Sequence, residues 1–218
     1  MYCMSIHIMA SAALGVGLIV GLFFLYWKFW FLRDPERVIP SGDVIVSPAD
    51  GTVLQIIPFD VENDGERAEW KKGGLGHIQT SLSEICTEGY IVSIFMSPFA
   101  VHFNRAPIAG TVIRQQHMPG KFLPAYQYPL SLIENEKNEI TLRGDALTVK
   151  VIQVAGFLVR QIQSFVHVND RLEKGQRLGL INFGSQCSLI LPKKNITLTV
   201  KKGDTVYGGS SILATCLP

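Results

Sequence analysis

From Ile8 to Trp27 the chain carries no charged side chain. About 20 such residues, coiled as a helix, match the hydrocarbon thickness of a bilayer. The stretch must be a membrane anchor, a signal peptide or a buried helix. A signal peptide has a basic region in front and a small-residue cleavage site behind. Met1–His7 contains no Lys or Arg, and the run ends in the bulky Tyr26, Trp27, Phe29, Trp30, Phe31 and Leu32. Aromatic residues interleaved with Lys28 and Arg33 read as an interfacial belt, so the sequence predicts a membrane-anchor helix and belt over residues 1–32. Lys28, Arg33 and Arg37 all lie C-terminal to the run. The positive-inside rule therefore puts residues 33–218 on the cytoplasmic face of the cell membrane. Gly17 and Gly21 fit a small-xxx-small packing pattern, which the ordinary frequency of Gly in membrane helices explains equally well.

Residues 33–218 suffice for one domain with a core. A net charge of +2 gives no electrostatic case for nucleic acid. After the Pro-containing linker at 33–40, short β-branched runs recur at 44–46, 52–57, 90–96, 110–114, 139–142, 147–154, 159–162, 178–182, 189–191 and 197–201. Each is bounded by Gly, Pro, Asn or Asp, the mark of strands. Only 64–72 and 81–86 suggest helix. The expected fold is mainly β, packed sheets or a barrel-like domain, behind an N-terminal hydrophobic anchor helix. Residues 60–88 form the most polar stretch and read as a long surface excursion.

Cys3, Cys86, Cys187 and Cys216 show no CxxC spacing and have no His at ligand spacing, so no metal is expected. Cys187 reads as a small buried core residue. The Gly-x-Val turns at 51–53, 110–112 and 203–206 echo the hairpins of lipoyl and biotinyl carrier domains. A carrier needs an exposed, modifiable Lys at a hairpin tip, and Lys201 and Lys202 lack that family's flanking pattern. These turns support an alternative function, a non-catalytic membrane-tethered β module for binding or assembly.

Three separated segments hold the parts for nucleophilic chemistry. Ser47-Pro48-Ala49-Asp50-Gly51 offers a carboxylate in a tight turn. Val101-His102-Phe103-Asn104-Arg105-Ala106-Pro107 offers an imidazole beside an arginine. Phe183-Gly184-Ser185-Gln186 offers a hydroxyl behind a glycine, between two apolar runs. Gly184 frees the backbone at the point where a nucleophile would approach its carbonyl. Taken singly, each is more simply explained. Gly-Ser and Asp-Gly steps are common turns, and a lone His is usually packed or exposed. Arg105 and Lys121 could hold a carboxylate or phosphate, or could be surface residues with packed stems.

Together with Phe31-Leu32-Arg33-Asp34-Pro35, Ile94-Phe95-Met96-Ser97-Pro98, Pro119-Gly120-Lys121-Phe122-Leu123-Pro124, Glu134-Asn135-Glu136, Gln153-Val154-Ala155-Gly156 and Gly179-Leu180-Ile181-Asn182, these segments follow one order along most of the chain after the anchor. In that order and content the chain resembles the phosphatidylserine decarboxylases, in particular their short, archaeal-type branch. The resemblance implies a pyruvoyl-dependent enzyme that cuts itself between Gly184 and Ser185. Ser185 would attack the Gly184 carbonyl, and His102, oriented by Asp50, would take its proton. Ser185 would become the covalent pyruvoyl cofactor, an electron sink for decarboxylating a membrane phospholipid. Arg105 and Lys121 are the substrate-binding candidates it suggests. The expected partners are the lipid, the chain's own β (1–184) and α (185–218) fragments, and a homodimer of αβ units. The sequence departs from the family pattern at Gln186 and Ser188, where Arg and Asp usually stand, and at Ala100, where an acid is frequent.

Overall fold

A computed structural model describes residues 2–61, 82, 85–127, 130–156, 161–182 and 184–217. The chain divides into two compact units, Met1–Pro35 and Glu36–Pro218.

The first unit is a helix, α1 (Tyr2–Leu25), whose last turns widen into a π-helix over Tyr26–Phe31. Residues Met9–Phe31 are long and apolar enough to cross a membrane. Leu14, Leu18, Ile19, Phe23 and Phe24 stand exposed, as expected of side chains whose solvent is lipid. The widened turns carry the aromatic belt. Trp27 stacks on Phe31 at 4.7 Å between centroids, and the Arg33 guanidinium lies 4.5 Å from the Trp30 ring. The helix stops at Leu32, two residues before the Asp34-Pro35 step, where a residue preceding Pro is steered out of the α region.

The second unit is built of antiparallel strands: β1 (Val44–Val46), β2 (Gly51–Asp60), β3 (Glu88–Met96), β4 (Phe103–Arg105), β5 (Gly110–Met118), β6 (Lys137–Arg143), β7 (Thr148–Val154), β8 (Ile162–Ser164), β9 (Arg171–Leu172), β10 (Arg177–Ile181), β11 (Ser185–Pro192), β12 (Ile196–Leu198), β13 (Thr205–Val206) and β14 (Ile212–Cys216). A short helix, α2 (Leu130–Glu134), precedes β6. Eight strands form one curled sheet in the order β13-β2-β3-β11-β7-β6-β5-β9. Two three-stranded sheets, β1-β14-β12 and β4-β10-β8, complete the unit. The mainly β fold with an N-terminal apolar helix is the one the sequence predicts.

β11 lies near the middle of the large sheet, paired with β3 on one side and β7 on the other. Side chains alternate between faces. Cys187, Leu189 and Leu191 join Val92, Ile94, Met96, Val149 and Val151 in the main core. Ile190 joins Ile152, Val154, Leu82 and Leu132 of α2 in a second cluster on the other face. Cover on both faces explains why these strands read as continuous apolar runs.

Most predicted runs fall inside observed strands, with shifted ends. The predicted 159–162 run meets β8 only at Ile162, and 157–160 lie outside the described residues. β4, β9 and β13 are too short to leave a periodic signal, and β14 is a brief apolar run flanked by small residues. The helix expected over 64–72 lies outside the described residues, as do half of 81–86 and most of the 60–88 excursion. Lys201 and Lys202 stand exposed in the turn before β13.

Candidate active site

The register of three neighbouring strands sets the site. Thr52 of β2 faces Phe95 of β3, and Met96 of β3 faces Ser185 of β11. Asp50, just ahead of β2, and Ser185, first in β11, therefore stand at the same end of the sheet. They are two strand spacings apart, about 10 Å between backbones. The fit is close at Gly51, where any Cβ would lie 2.0 Å from the Phe95 carbonyl oxygen. Only glycine lets the Asp50 turn enter β2 there.

The cut expected from the sequence falls where the chain leaves one sheet for another. β10 belongs to a three-stranded sheet and β11 to the large one, and Gly184 is the last residue of the connection. Its φ of +59° is in the left-handed region, and a Cβ built there would meet nothing within 4 Å. Space beside Gly184 is what an attacking oxygen and a bound head group require. Ser185 is fully buried, and its hydroxyl donates to Met96 Sδ at 3.6 Å.

His102 closes the turn between β3 and β4. Its carbonyl accepts from Ile181 N at 3.2 Å, which fixes it against the strand leading to Gly184. The ring is fully buried, and Nδ1 lies 2.9 Å from the Ala100 carbonyl oxygen. A carbonyl only accepts, so Nδ1 carries the proton and Nε2 is the basic nitrogen of the neutral ring. The acceptor that orients this ring is thus the backbone at position 100.

Asp50 is held by other partners. Arg37 Nη2 donates to both carboxylate oxygens at 2.8 and 2.7 Å, and Gly208 N donates to Oδ1 at 2.7 Å. Arg37 and Asp50 are each about nine-tenths buried. Such a pair is costly to break, because removing one member strands the other charge. The sequence reading placed Arg37 in the linker and missed this contact. Nothing in the spacing of residues 37 and 50 announces it.

Arg105 lies beside the Asp50 turn. Its N–H donates to the Pro48 carbonyl and its Nη1 to the Gly175 carbonyl, at 2.8 and 2.9 Å. Lys121 sits apart from this group, exposed and paired with Glu134 at 2.6 Å. Burial pushes the Cys187 thiol well above its ordinary range, and Cys187 packs in the main core, as expected from the sequence. That thiol is a poor nucleophile.

Gln186 and Ser188 share the face of β11 opposite to Ser185. Gln186 Nε2 donates to Ser188 Oγ at 2.8 Å, Ser188 pairs with Ser93 at 2.9 Å, and Ser131 of α2 donates to Gln186 at 3.2 Å. The two departures from the family pattern are thus partners. Here the pair is neutral, buried and hydrogen-bonded.

Comparison with known proteins gives the family of the chain. Residues 24–214 match the family model described as phosphatidylserine decarboxylase. A phosphatidylserine decarboxylase proenzyme from Carboxydothermus hydrogenoformans is 40% identical over 199 residues, covering 91% of this chain and 83% of that protein. A protein of Methanocaldococcus jannaschii named "Putative archaetidylserine decarboxylase proenzyme" is 38% identical over 192 residues, covering 87% and 90%. A phosphatidylserine decarboxylase proenzyme from Solibacter usitatus is 39% identical over 198 residues, covering 90% and 80%.

Proposed function

The chain belongs to the phosphatidylserine decarboxylase family, and on that premise we propose that it converts phosphatidylserine to phosphatidylethanolamine and carbon dioxide after cutting its own backbone between Gly184 and Ser185. The setting of that one peptide bond supports the reading most. A left-handed glycine with open space precedes a fully buried serine that begins a central strand.

Ser185 Oγ adds to the Gly184 carbonyl carbon, and His102 takes the hydroxyl proton on Nε2. The carbon–nitrogen bond breaks, the proton passes to the freed amine, and an ester replaces the amide. Loss of the Cα proton of residue 185 then expels the Gly184 carboxylate. Water enters the resulting dehydroalanine, ammonia leaves, and residue 185 ends as a pyruvoyl group. That group supplies an electron sink for the charge left on the substrate when carbon dioxide departs. His102 returns a proton to the substrate carbon.

Asp50, fixed by Arg37 and the Gly208 N–H, contributes a negative charge held at the same end of the sheet as Ser185, while the Ala100 carbonyl orients the imidazole. Arg105, part-buried beside the Asp50 turn, suits the lipid phosphate better than the exposed, paired Lys121. The anchor (1–32) holds the catalytic domain (33–218) at the cytoplasmic face, where the substrate resides.

The test is direct. Purified protein in phosphatidylserine vesicles should accumulate phosphatidylethanolamine and run as two fragments on a denaturing gel. Ser185→Ala should do neither. A wild-type chain that is cut but leaves phosphatidylserine untouched would contradict the substrate, and one that stays whole would contradict the mechanism.

A further inference from the structure

A line of neutral polar side chains crosses the interior and ends at Ser185. Asn138 Nδ2 on β6 donates to Gln153 Oε1 on β7 at 2.9 Å. Gln153 Nε2 donates to Asn104 Oδ1 on β4 at 2.9 Å. Asn104 Nδ2 donates to Met96 Sδ on β3 at 3.6 Å, and the same sulfur accepts the Ser185 hydroxyl. Every member is at least 98% buried. The main-chain fold makes room for the line. Gly179 faces Asn104 across β10 and β4, and a Cβ at Gly179 would come within 2.9 Å of Gln153 Nε2 and 2.3 Å of the Gln163 carbonyl oxygen.

The line has a direction. Each amide gives its N–H toward Ser185, and Gln153 and Asn104 each receive one from the side away from it, while Asn138 Oδ1 is buried with no hydrogen-bond partner among the described residues. Because Gln153 occupies Asn104 Oδ1, the Asn104 amide is held with its NH₂ toward Met96. Flipping Gln153 or Asn104 alone would set a donor against a donor, so these two buried amides fix one another.

We propose that Asn104, fixed by Gln153 and Asn138 and acting through the Met96 thioether, is a positioning residue that sets the Ser185 hydroxyl for attack on the Gly184 carbonyl. The proposal rests on the self-cleavage reading given above. A thioether is a weak acceptor, so Met96 fixes the hydroxyl without competing for its proton when His102 withdraws it. Donation from Asn104 to the same sulfur keeps Met96 in one rotamer, which an unbranched thioether otherwise leaves soon.

The experiment uses the full-length chain in Asn104→Asp and Met96→Leu forms, followed from synthesis on denaturing gels. Asn104→Asp keeps the acceptor for Gln153 and, when ionised, loses the donor toward Met96. Loss of one aligned hydrogen bond should slow cutting about tenfold, and Met96→Leu should slow it by a smaller factor. Each slowed precursor should resist hydroxylamine, which splits esters, because the delay precedes ester formation. In a Ser185→Ala background Met96→Leu should move the melting temperature by less than about 2 °C, whereas Asn104→Asp, which buries a carboxylate, should lower it further. Three results would overturn the assignment. They are Asn104→Asp cutting at the wild-type rate, a hydroxylamine-sensitive precursor, or a loss of stability by Met96→Leu in the Ser185→Ala background that matches its loss of cutting, which would make the line merely structural. A wild-type chain that never cuts sinks the underlying reading and this proposal with it, a pattern distinct from the other three.

Discussion

At the scale of single residues, the chemistry depends on which nitrogen of His102 is basic and on what holds Asp50. The Ala100 carbonyl fixes the first, and Arg37 with Gly208 N fixes the second. His102→Ala should therefore leave the chain uncut, because no other base replaces Nε2. Asp50→Ala should cut slowly, because the ring keeps its backbone acceptor. Arg37→Gln should also cut slowly and should cost about 3 kcal/mol in stability, since it leaves the Asp50 carboxylate buried without its cation. Time courses of fragment appearance on a gel, with unfolding of each uncut form, check all three. Cutting of His102→Ala at the wild-type rate would remove the imidazole from the mechanism. Ser185, His102 and Asp50 stand out in the sequence as candidates because each sits in a distinctive motif. Arg37 meets Asp50 13 residues away and Gln153 meets Asn104 49 residues away, and no local pattern reports such contacts.

Among the elements, α2 shows how a short helix can matter to the site. Five residues form it, too few to persist alone. Lys137, buried at the start of β6, donates to the carbonyls of Leu132 and Ile133 at 2.8 and 2.7 Å and so closes its C-terminal end. Asn135 adds three bonds, two to Leu123 and one to the Ala155 carbonyl. The helix in turn presents Ser131 to Gln186, next to the cleavage point. Burial lowers the pKa of Lys137 below the ordinary lysine value, so the unfolded chain holds that proton more tightly than the folded one. Stability therefore rises with pH through the window just below the ordinary lysine value, about 10.4. Lys137→Met should lose that rise and, at neutral pH, lose stability by about 1 kcal/mol as the helix end opens. Denaturant unfolding of both proteins between neutral and alkaline pH measures the difference. Parallel curves would contradict the assignment. The longer strands were legible because apolar, β-branched runs between turn residues mark them. α2 was not, since its stability comes from Lys137 and Asn135 rather than from its own periodicity.

For the whole molecule, the proposed cut between Gly184 and Ser185 has a topological consequence. The segment after Ser185 supplies β11, bonded on both sides by β3 and β7, and β14, bonded by β1 and β12. It also supplies β13, which pairs with β2. Breaking the chain at Gly184 severs the link between two sheets and no ladder within either. The short fragment should thus co-purify with the long one under native conditions and separate only in denaturant. Mass spectrometry of that fragment's N-terminus tests the central claim most directly. The account predicts a blocked end bearing a ketone, lighter than an unmodified peptide beginning at Ser185 by one ammonia. A free serine amine there, or no fragment at all, would contradict it.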